Sequence, residues 1–390
     1  MESPAQPVST ALTDELLEEI FLRIGSPADL ARTSAACVSF RRLITEPYFL
    51  RRYRSLHPPL FLGFVHLQGF EPAQPPHPSA PAARALARAA DFSFDYLPPA
   101  RSCHEGWRPC DARDGLVLLE GRPGRGSVGR VFKDLAACDP LSRRYVLLPP
   151  IPDALIASVQ VQKQNVSIFD TFLAPCDDEQ ETTFRVIGMA HCVSKLVVFV
   201  FSSDSGQWTL GASAKWDDLS SPPDNYGLLW GRYFAYGCFF WKYNHRNELL
   251  MFDFSMMEFS TVNLPPDHED KNIVIVEAGE GRIGMLSDIE DGSCAPVYYF
   301  IKQNKGDSAQ EWLIENMVPL SMYHDYSTVG ASEGYLLLCR IPKPGGDESD
   351  IEYFSLEVKT LRLERVSGMT LVYHVYPYLS FPPSMSPKRI

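Results

Sequence analysis

The feature that most constrains this fold is a strand–turn–strand unit that recurs from about residue 92 onward. In four copies the first strand ends at a polar residue, namely Asp139, Ser202, Asp253 or Glu357, and Tyr, Trp, Phe or Leu stands six residues later. These anchors are separated by 63, 51 and 104 residues, the last gap being two steps of about 52. A weaker copy covers 281–312. A repeat of about 50 residues is typical of propeller blades built from four strands.

We therefore predict an α+β multidomain chain, in which a three-helix module precedes an all-β propeller. Five repeats are visible, and the runs at 60–65 and 371–376 are expected to close the ring together as a sixth. Six blades are favoured, and seven are the alternative. A β-sandwich is the competing fold, but it does not explain the repeat.

The first 57 residues show helical periodicity instead. Two apolar rows at four-residue spacing mark the first helix, Leu12, Leu16, Ile20 and Ile24 in one row and Leu17 and Phe21 in the other. Such rows place apolar side chains on two adjoining faces of a helix. Thr13 is the expected N-cap, and Gly25 is the expected left-handed C-cap.

Two further helices are predicted in this segment. Ser26 as N-cap and Pro27 at the first helical position begin the second helix. The third covers about 38–45, and Pro47 is expected to end it. Three short helices bury their own apolar surface poorly, so this module is expected to meet a partner.

The module resembles the F-box. The matching residues are Leu12, Leu16, Leu17, 20–24, Asp29, Leu30, 37–44 and 47–52. Two positions depart from the family pattern: Thr13 stands where proline is usual, and Phe40 stands where tryptophan is usual, with the arginine of that motif replaced by Val38. A private three-helix cap on the propeller is the competing interpretation.

The resemblance implies docking on the Skp adaptor, and through it on a cullin, in a Skp–cullin–F-box ubiquitin ligase. The docking residues carried over by the resemblance are Leu12, Leu16, Ile20, Leu30, Val38, Phe40 and Leu43. Some of these must instead form the core of the module, and the sequence does not divide them. An apolar helical face of this kind suits a helix-in-groove contact.

The repeat region resembles the F-box-associated and kelch-like propellers of plant F-box proteins. We expect residues 1–10 and 381–390 to be tails, 11–57 to be the F-box, and 58–380 to be the propeller, with a Pro- and Ala-rich loop at 70–90. The resemblance implies that the propeller captures an unknown target protein. Trp208, Trp241 and Trp312 are expected to lie between blades.

Bulk properties exclude several classes of function. A formal net charge of −12 argues against nucleic-acid binding. The nine cysteines lack metal-ligand or disulfide spacing, and the start of the sequence lacks a basic–apolar leader pattern. No apolar run is long enough for a membrane span. We therefore expect a cytoplasmic or nuclear protein without membrane attachment.

The search for catalytic patterns predicts no catalytic, metal-binding or cofactor-binding residue, so we expect a receptor subunit and not an enzyme. The nine histidines lack metal spacing. The triplet 324–326, the acidic run 288–292 and the glycine-rich run 121–126 are all interpreted as loops or turns. Two alternatives stay open: a kelch-type propeller enzyme, such as an oxidase or glycosidase, and a ligase-independent protein-binding propeller.

Overall fold

The computed structural model describes residues 12–25, 27–57, 60–101, 106–122, 131–161, 165–175, 183–219, 229–288, 297–302, 312–318, 320, 325–332, 334–341, 351–369 and 374–380. The chain divides into two compact units, with the main boundary after residue 60. The predicted tails and the predicted N-cap Ser26 lie outside the described residues.

The first unit is helical. Its helices are α1 (Asp14–Leu22), α2 (Pro27–Ala36), α3 (Val38–Ile44) and α4 (Pro47–Leu56). Thr13 caps α1 as predicted, because its Oγ1 accepts a hydrogen bond from the backbone N–H of Leu16 at 3.5 Å. The predicted left-handed C-cap at Gly25 is wrong: the cap is Arg23, with right-handed helical backbone angles.

The fourth helix was not predicted. Helix α3 ends at Ile44, shortly before Pro47, as predicted. Pro47 also begins α4, since proline fits the first turn of a helix, where no backbone donor is needed. Two hydrogen bonds then tie α4 to the end of α1. The Tyr53 hydroxyl donates to the Ile24 carbonyl oxygen at 2.8 Å, and the His57 ring nitrogen Nε2 lies 2.8 Å from the Leu22 carbonyl oxygen.

The second unit is a six-bladed β-propeller, which confirms the favoured blade number. Its described strands form five four-stranded sheets and one three-stranded sheet. Blade 1 contains β3 (Trp107–Arg113), β4 (Leu116–Gly121), β5 (Leu135–Asp139) and β6 (Arg144–Leu147). Blade 2 contains β7 (Val166–Leu173), β8 (Arg185–Cys192), β9 (Lys195–Ser202) and β10 (Gln207–Lys215). Blade 3 contains β11 (Leu229–Ala235), β12 (Cys238–Tyr243), β13 (Glu248–Asp253) and β14 (Glu258–Asn263).

The remaining blades complete the ring. Blade 4 contains β15 (Ile273–Glu277), β16 (Ile283–Asp288), β17 (Val297–Lys302) and β18 (Trp312–Val318). Blade 5 contains β19 (Asp325–Ser332), β20 (Tyr335–Ile341), β21 (Ile351–Glu357) and β22 (Arg362–Met369). Blade 6 contains β1 (Leu60–His66), β2 (Gly69–Pro72) and β23 (Tyr376–Ser380), in the order β2–β1–β23. The early strand and the late strand thus share one sheet, as predicted, although the late strand begins at Tyr376.

The prediction of a Pro- and Ala-rich loop at 70–90 is partly wrong. Pro72 belongs to β2 and pairs with Gly63, which is possible because β2 is an edge strand and needs no donor on its outer side. The Ala-rich part forms α5 (Ala80–Ala89), and a further helix, α6 (Asp153–Ser158), joins blades 1 and 2. No described helix is long and apolar enough to cross a membrane.

The recurring hairpin is explained by turn chemistry. Each anchor ends the third strand of its blade, and the residue four positions later has a left-handed backbone. These residues are Arg143 (φ 55°), Gly206 (φ 67°), Met257 (φ 55°) and Leu361 (φ 53°). In two turns the anchor is an aspartate whose Oδ1 accepts backbone N–H groups, from Leu141 at 2.9 Å in one and from Ser255 at 2.8 Å in the other.

Candidate functional site

Helix α1 separates its apolar residues onto two faces. Phe21 and Leu22 are each 3% exposed and lie in the core of the helical unit. On the other face, Leu12, Leu16 and Ile20 are 54%, 53% and 47% exposed. Leu16 and Ile20 stand four residues apart on one face of α1, and Leu12 lies just before the N-cap Thr13. We call these three residues the α1 row.

The structure divides the remaining predicted docking residues. Val38, at the start of α3, is 82% exposed and therefore accessible. Leu30 is 1% exposed and lies in the core, so it does not belong to the surface and we remove it from the docking set. Phe40 and Leu43 are half-buried against the same core, where the Phe40 ring meets Phe21 edge-on at a centroid distance of 4.9 Å.

Ion pairs hold α1 against its neighbours without covering the row. Arg52 of α4 donates to Glu18 at 2.8 Å and to Glu19 at 2.5 Å. Arg42 of α3 donates to Asp14 at 2.7 Å. Both arginines keep a third or more of their side chains exposed, and solvent screens such pairs, so they orient the helix more than they stabilise it.

Sequence reasoning missed one exposed aromatic residue in this unit. Tyr48 of α4 is 57% exposed, and the guanidinium of Arg52 lies over its ring at 5.7 Å from the centroid. The signal was present, because Tyr48 directly follows Pro47 at the helix start, but the segment was taken for the end of a helix.

A second group of candidate functional side chains lies on the inner strands of the propeller. Arg232 of β11 contacts Asp111 of β3 at 2.9 Å and Asp170 of β7 at 3.3 Å. Asp111 also accepts the backbone N–H of Leu173 at 2.8 Å through its second oxygen. Asp111 lies in blade 1, Asp170 in blade 2 and Arg232 in blade 3, so the Arg232–Asp111–Asp170 triad joins three blades.

The electrostatics of the triad follow from burial and charge. Burial alone would lower the pKa of Arg232, but the carboxylates of Asp111 and Asp170 hold it above its usual value. The guanidinium also lies over the Phe172 ring at 4.5 Å from the centroid. Burial raises the pKa of the nearby Tyr376 and Cys110 side chains, so both are neutral near pH 7.

No cluster of three metal-ligating side chains exists among the residues described. Parts of the loops discussed above, including His324 and positions 123–126 and 289–292, lie outside the described residues. Two of the three tryptophans expected between blades donate to a neighbouring blade: Trp208 to the Pro149 carbonyl oxygen at 2.7 Å and Trp312 to the Asn263 carbonyl oxygen at 2.9 Å. Trp241 is buried in a core shared by blades 2 and 3.

Comparisons with known proteins add the following. No family model and no curated protein matches the sequence. Among solved structures, an exo-β-1,3-galactanase from Phanerochaete chrysosporium has a TM-score of 0.35 at 8% identity, over 67% of this chain and 65% of that one. An α-L-arabinanase from Penicillium chrysogenum has a TM-score of 0.36 at 10% identity, over 82% and 87%. The β-propeller domain of the Trilobed protease from Pyrococcus furiosus has a TM-score of 0.38 at 9% identity, over 72% and 78%.

The prediction that the chain is not an enzyme is contradicted, because a propeller fold does not by itself exclude catalysis. The structures found include a galactanase and an arabinanase, which are enzymes. The prediction had treated a propeller without a recognisable catalytic motif as evidence against catalysis. Side chains from distant repeats can meet at the inner strands, as Asp111 and Asp170 do on Arg232, without leaving any local motif.

Proposed function

We propose that the helical unit docks on a Skp-type adaptor, and through it on a cullin, while the propeller captures a target protein for ubiquitination. The observation that carries this proposal is the α1 row: Leu16 and Ile20 on α1, and Leu12 just before it, stay about half exposed, while the opposite face of the helix is packed. Leaving such a stripe uncovered is costly, and an apolar groove on a partner would remove the cost.

The docking surface would comprise Leu12, Leu16 and Ile20, with Val38 as a further contact. Each fully buried aliphatic side chain contributes roughly 1.5–3 kcal/mol, so three or four such anchors would supply a large apolar contribution to the complex. A target held by the propeller would then stay at high effective concentration near the ligase. This role would be carried out in the cytoplasm or the nucleus.

Co-purification tests the proposal. The full chain carrying a tag is expected to retain a Skp adaptor, and the double variant Leu16→Asp, Ile20→Asp is expected to lose it. Both side chains are exposed, so the variant should keep the circular dichroism spectrum of the wild type. Met256→Asp, at a residue 65% exposed in the propeller, is the matched control and should retain the adaptor. Equal retention by the double variant would refute the assignment.

A second candidate function is glycoside cleavage at the propeller's inner strands. Its supporting observation is the pair of carboxylates, Asp111 and Asp170, brought together from blades 1 and 2. Most glycosidases use two carboxyl groups, one as acid and one as base or nucleophile. Hydrolysis of chromogenic glycosides by the full chain, abolished in both Asp111→Asn and Asp170→Asn, would support this candidate; no turnover would reject it.

A further inference from the structure

A cavity of about 680 Å³ opens beside the inner strands of blades 3, 4 and 5. Two of its walls are places where a strand bulges: β11 shifts register between Trp230 and Tyr233, and β19 shifts between Thr328 and Gly330. The segment 269–273, which leads into β15, forms a third wall. Its volume falls within the range of about 300–1,000 Å³ that small-molecule sites occupy, and bulges commonly redirect side chains beside such sites.

The bulge in β11 depends on glycine. Gly231 has φ 66°, and a β-carbon there would lie 2.3 Å from the Tyr233 hydroxyl oxygen. The side chains on either side of Gly231 make different contacts. Arg232 reaches the two aspartates of the triad, whereas Trp230 lines the cavity.

Trp230 is the most exposed of the indoles in the described part of the propeller. It is 57% exposed, whereas Trp107 and Trp312 are half-buried and Trp208, Trp216 and Trp241 are between 2% and 6% exposed. A large aromatic face left open at a cavity wall is a ready surface for stacking an apolar ring face.

Charged side chains of both signs and uncharged polar side chains line the rest of the cavity. Asp270 and His245 are paired through one carboxylate oxygen at 2.5 Å, and their side chains are 68% and 75% exposed, so the carboxylate of Asp270 is accessible to a ligand. Asn244 is exposed and makes no side-chain hydrogen bond within the described ranges. Lys242 donates to the Glu269 carbonyl oxygen and so holds the wall segment.

This mixture determines the class of ligand. Lys242 and Lys271 stand beside Asp270 and Glu269, and the third cation of the lining, Arg232, is already paired with two aspartates. The wall therefore carries charges of both signs, and neither a phosphate nor an ammonium group finds a matching field. A sugar ring has one face of C–H groups and a rim of hydroxyls that both donate and accept. We propose that the cavity binds a neutral saccharide, with a ring stacked on Trp230 and hydroxyls bonded to Asp270 and Asn244.

The inference is independent of adaptor docking. It extends the second candidate function, since the cavity includes Arg232, but it concerns binding alone. Saccharide binding without turnover would support this inference and reject glycoside cleavage, so the two can fail separately.

Calorimetric titration of the full chain with cellotetraose, xylotetraose and mannotetraose tests the proposal. At least one is expected to bind, with the Kd raised tenfold or more by Trp230→Ala and by Asp270→Ala. Trp230→Phe keeps a stacking face and should lose less. Tyr48→Ala is the matched control, because Tyr48 is equally exposed at 57% in the other unit, and its Kd should stay within twofold.

A glycoprotein carrying oligomannose chains, used before and after enzymatic removal of the glycans, separates a free sugar from a protein-linked one. Binding lost on deglycosylation also supports the proposal, because it shows that the cavity accepts a protein-linked sugar. The proposal is overturned if no tetrasaccharide and no glycoprotein binds, if only glucuronate or phosphate binds, or if the Trp230 and Asp270 variants bind as the wild type does.

Discussion

The indole N–H of Trp208 donates to the Pro149 carbonyl oxygen at 2.7 Å, and this bond links the outer strand of blade 2 to the segment that leaves blade 1. Trp208 is 6% exposed, so water does not replace the bond if it is lost. Trp208→Phe is therefore expected to lower the free energy of unfolding by about 1–3 kcal/mol. Trp312→Phe removes a similar bond to Asn263 at a more exposed site, and it should cost less in the same urea titration. Equal losses would contradict this explanation.

The hairpin turns predict substitutions of opposite sign. Gly206 has φ 67°, so Gly206→Ala is expected to destabilise the propeller by about 1 kcal/mol. Arg143 holds the same turn position with φ 55°, and its only described ion pair, with Asp91 at 3.3 Å, is exposed. Arg143→Gly should therefore stabilise by roughly 0.5–1 kcal/mol. Thermal unfolding of both variants checks this, and a loss of stability in Arg143→Gly would refute it.

The triad on the inner strands predicts strong coupling between distant repeats. Arg232→Met leaves the Asp111 and Asp170 carboxylates without their counter-ion, and we expect a loss of about 3–5 kcal/mol. Adding Asp111→Asn and Asp170→Asn removes both uncompensated negative charges and should recover part of the lost stability. Urea unfolding of the single and triple variants measures the recovery; a triple variant that is less stable than Arg232→Met would contradict the explanation.

His77 predicts sensitivity of the propeller to acid. Burial, with a smaller contribution from Arg362, lowers the pKa of His77 to about 4, and its Nε2 lies 3.1 Å from the Ser355 hydroxyl oxygen. An unfolded histidine titrates near pH 6.5, so the unfolded chain binds an extra proton between about pH 6.5 and 4. Stability therefore falls on acidification through this window, by about 3 kcal/mol from His77 alone.

The matched variants are His77→Gln and His245→Gln. The first should remove that part of the pH dependence, and the second should leave it, since the His245 side chain is 75% exposed. Unfolding free energies at pH 7, 5.5 and 4 give the comparison. Parallel pH curves for the wild type and His77→Gln would show that this histidine is not responsible.

Local chemistry explains which parts of the fold were predictable. The anchors Asp139 and Asp253 end their strands with their own turn hydrogen bonds, so the blade repeat is visible in the sequence. The helix α4 was missed because proline both ends one helix and begins the next. The pairing of Pro72 was missed because its tolerance depends on β2 being an edge strand, which is a tertiary property.

The candidate sites depended still more on tertiary structure. Leu16 and Leu30 look equivalent in the sequence, yet one is 53% exposed and the other 1% exposed. Arg232 and Asp170 are 62 residues apart, and only the ring of blades brings them together. Asp111, Asp170 and Arg232 all lie on the first strands of their blades, so comparing the first strands of successive repeats is the signal that would have found them.

The central claim is that the α1 row is the docking surface for a Skp-type adaptor. The most direct measurement is the Kd of the adaptor for the full chain, compared with Leu16→Ala, Ile20→Ala, their combination, and Leu210→Ala as a control at a propeller leucine that is 43% exposed. Truncating both row residues should weaken binding by about 2–4 kcal/mol, at least thirtyfold in Kd, with the control unchanged. A wild-type chain that does not bind the adaptor, or a double variant within twofold of the wild type, would contradict the claim.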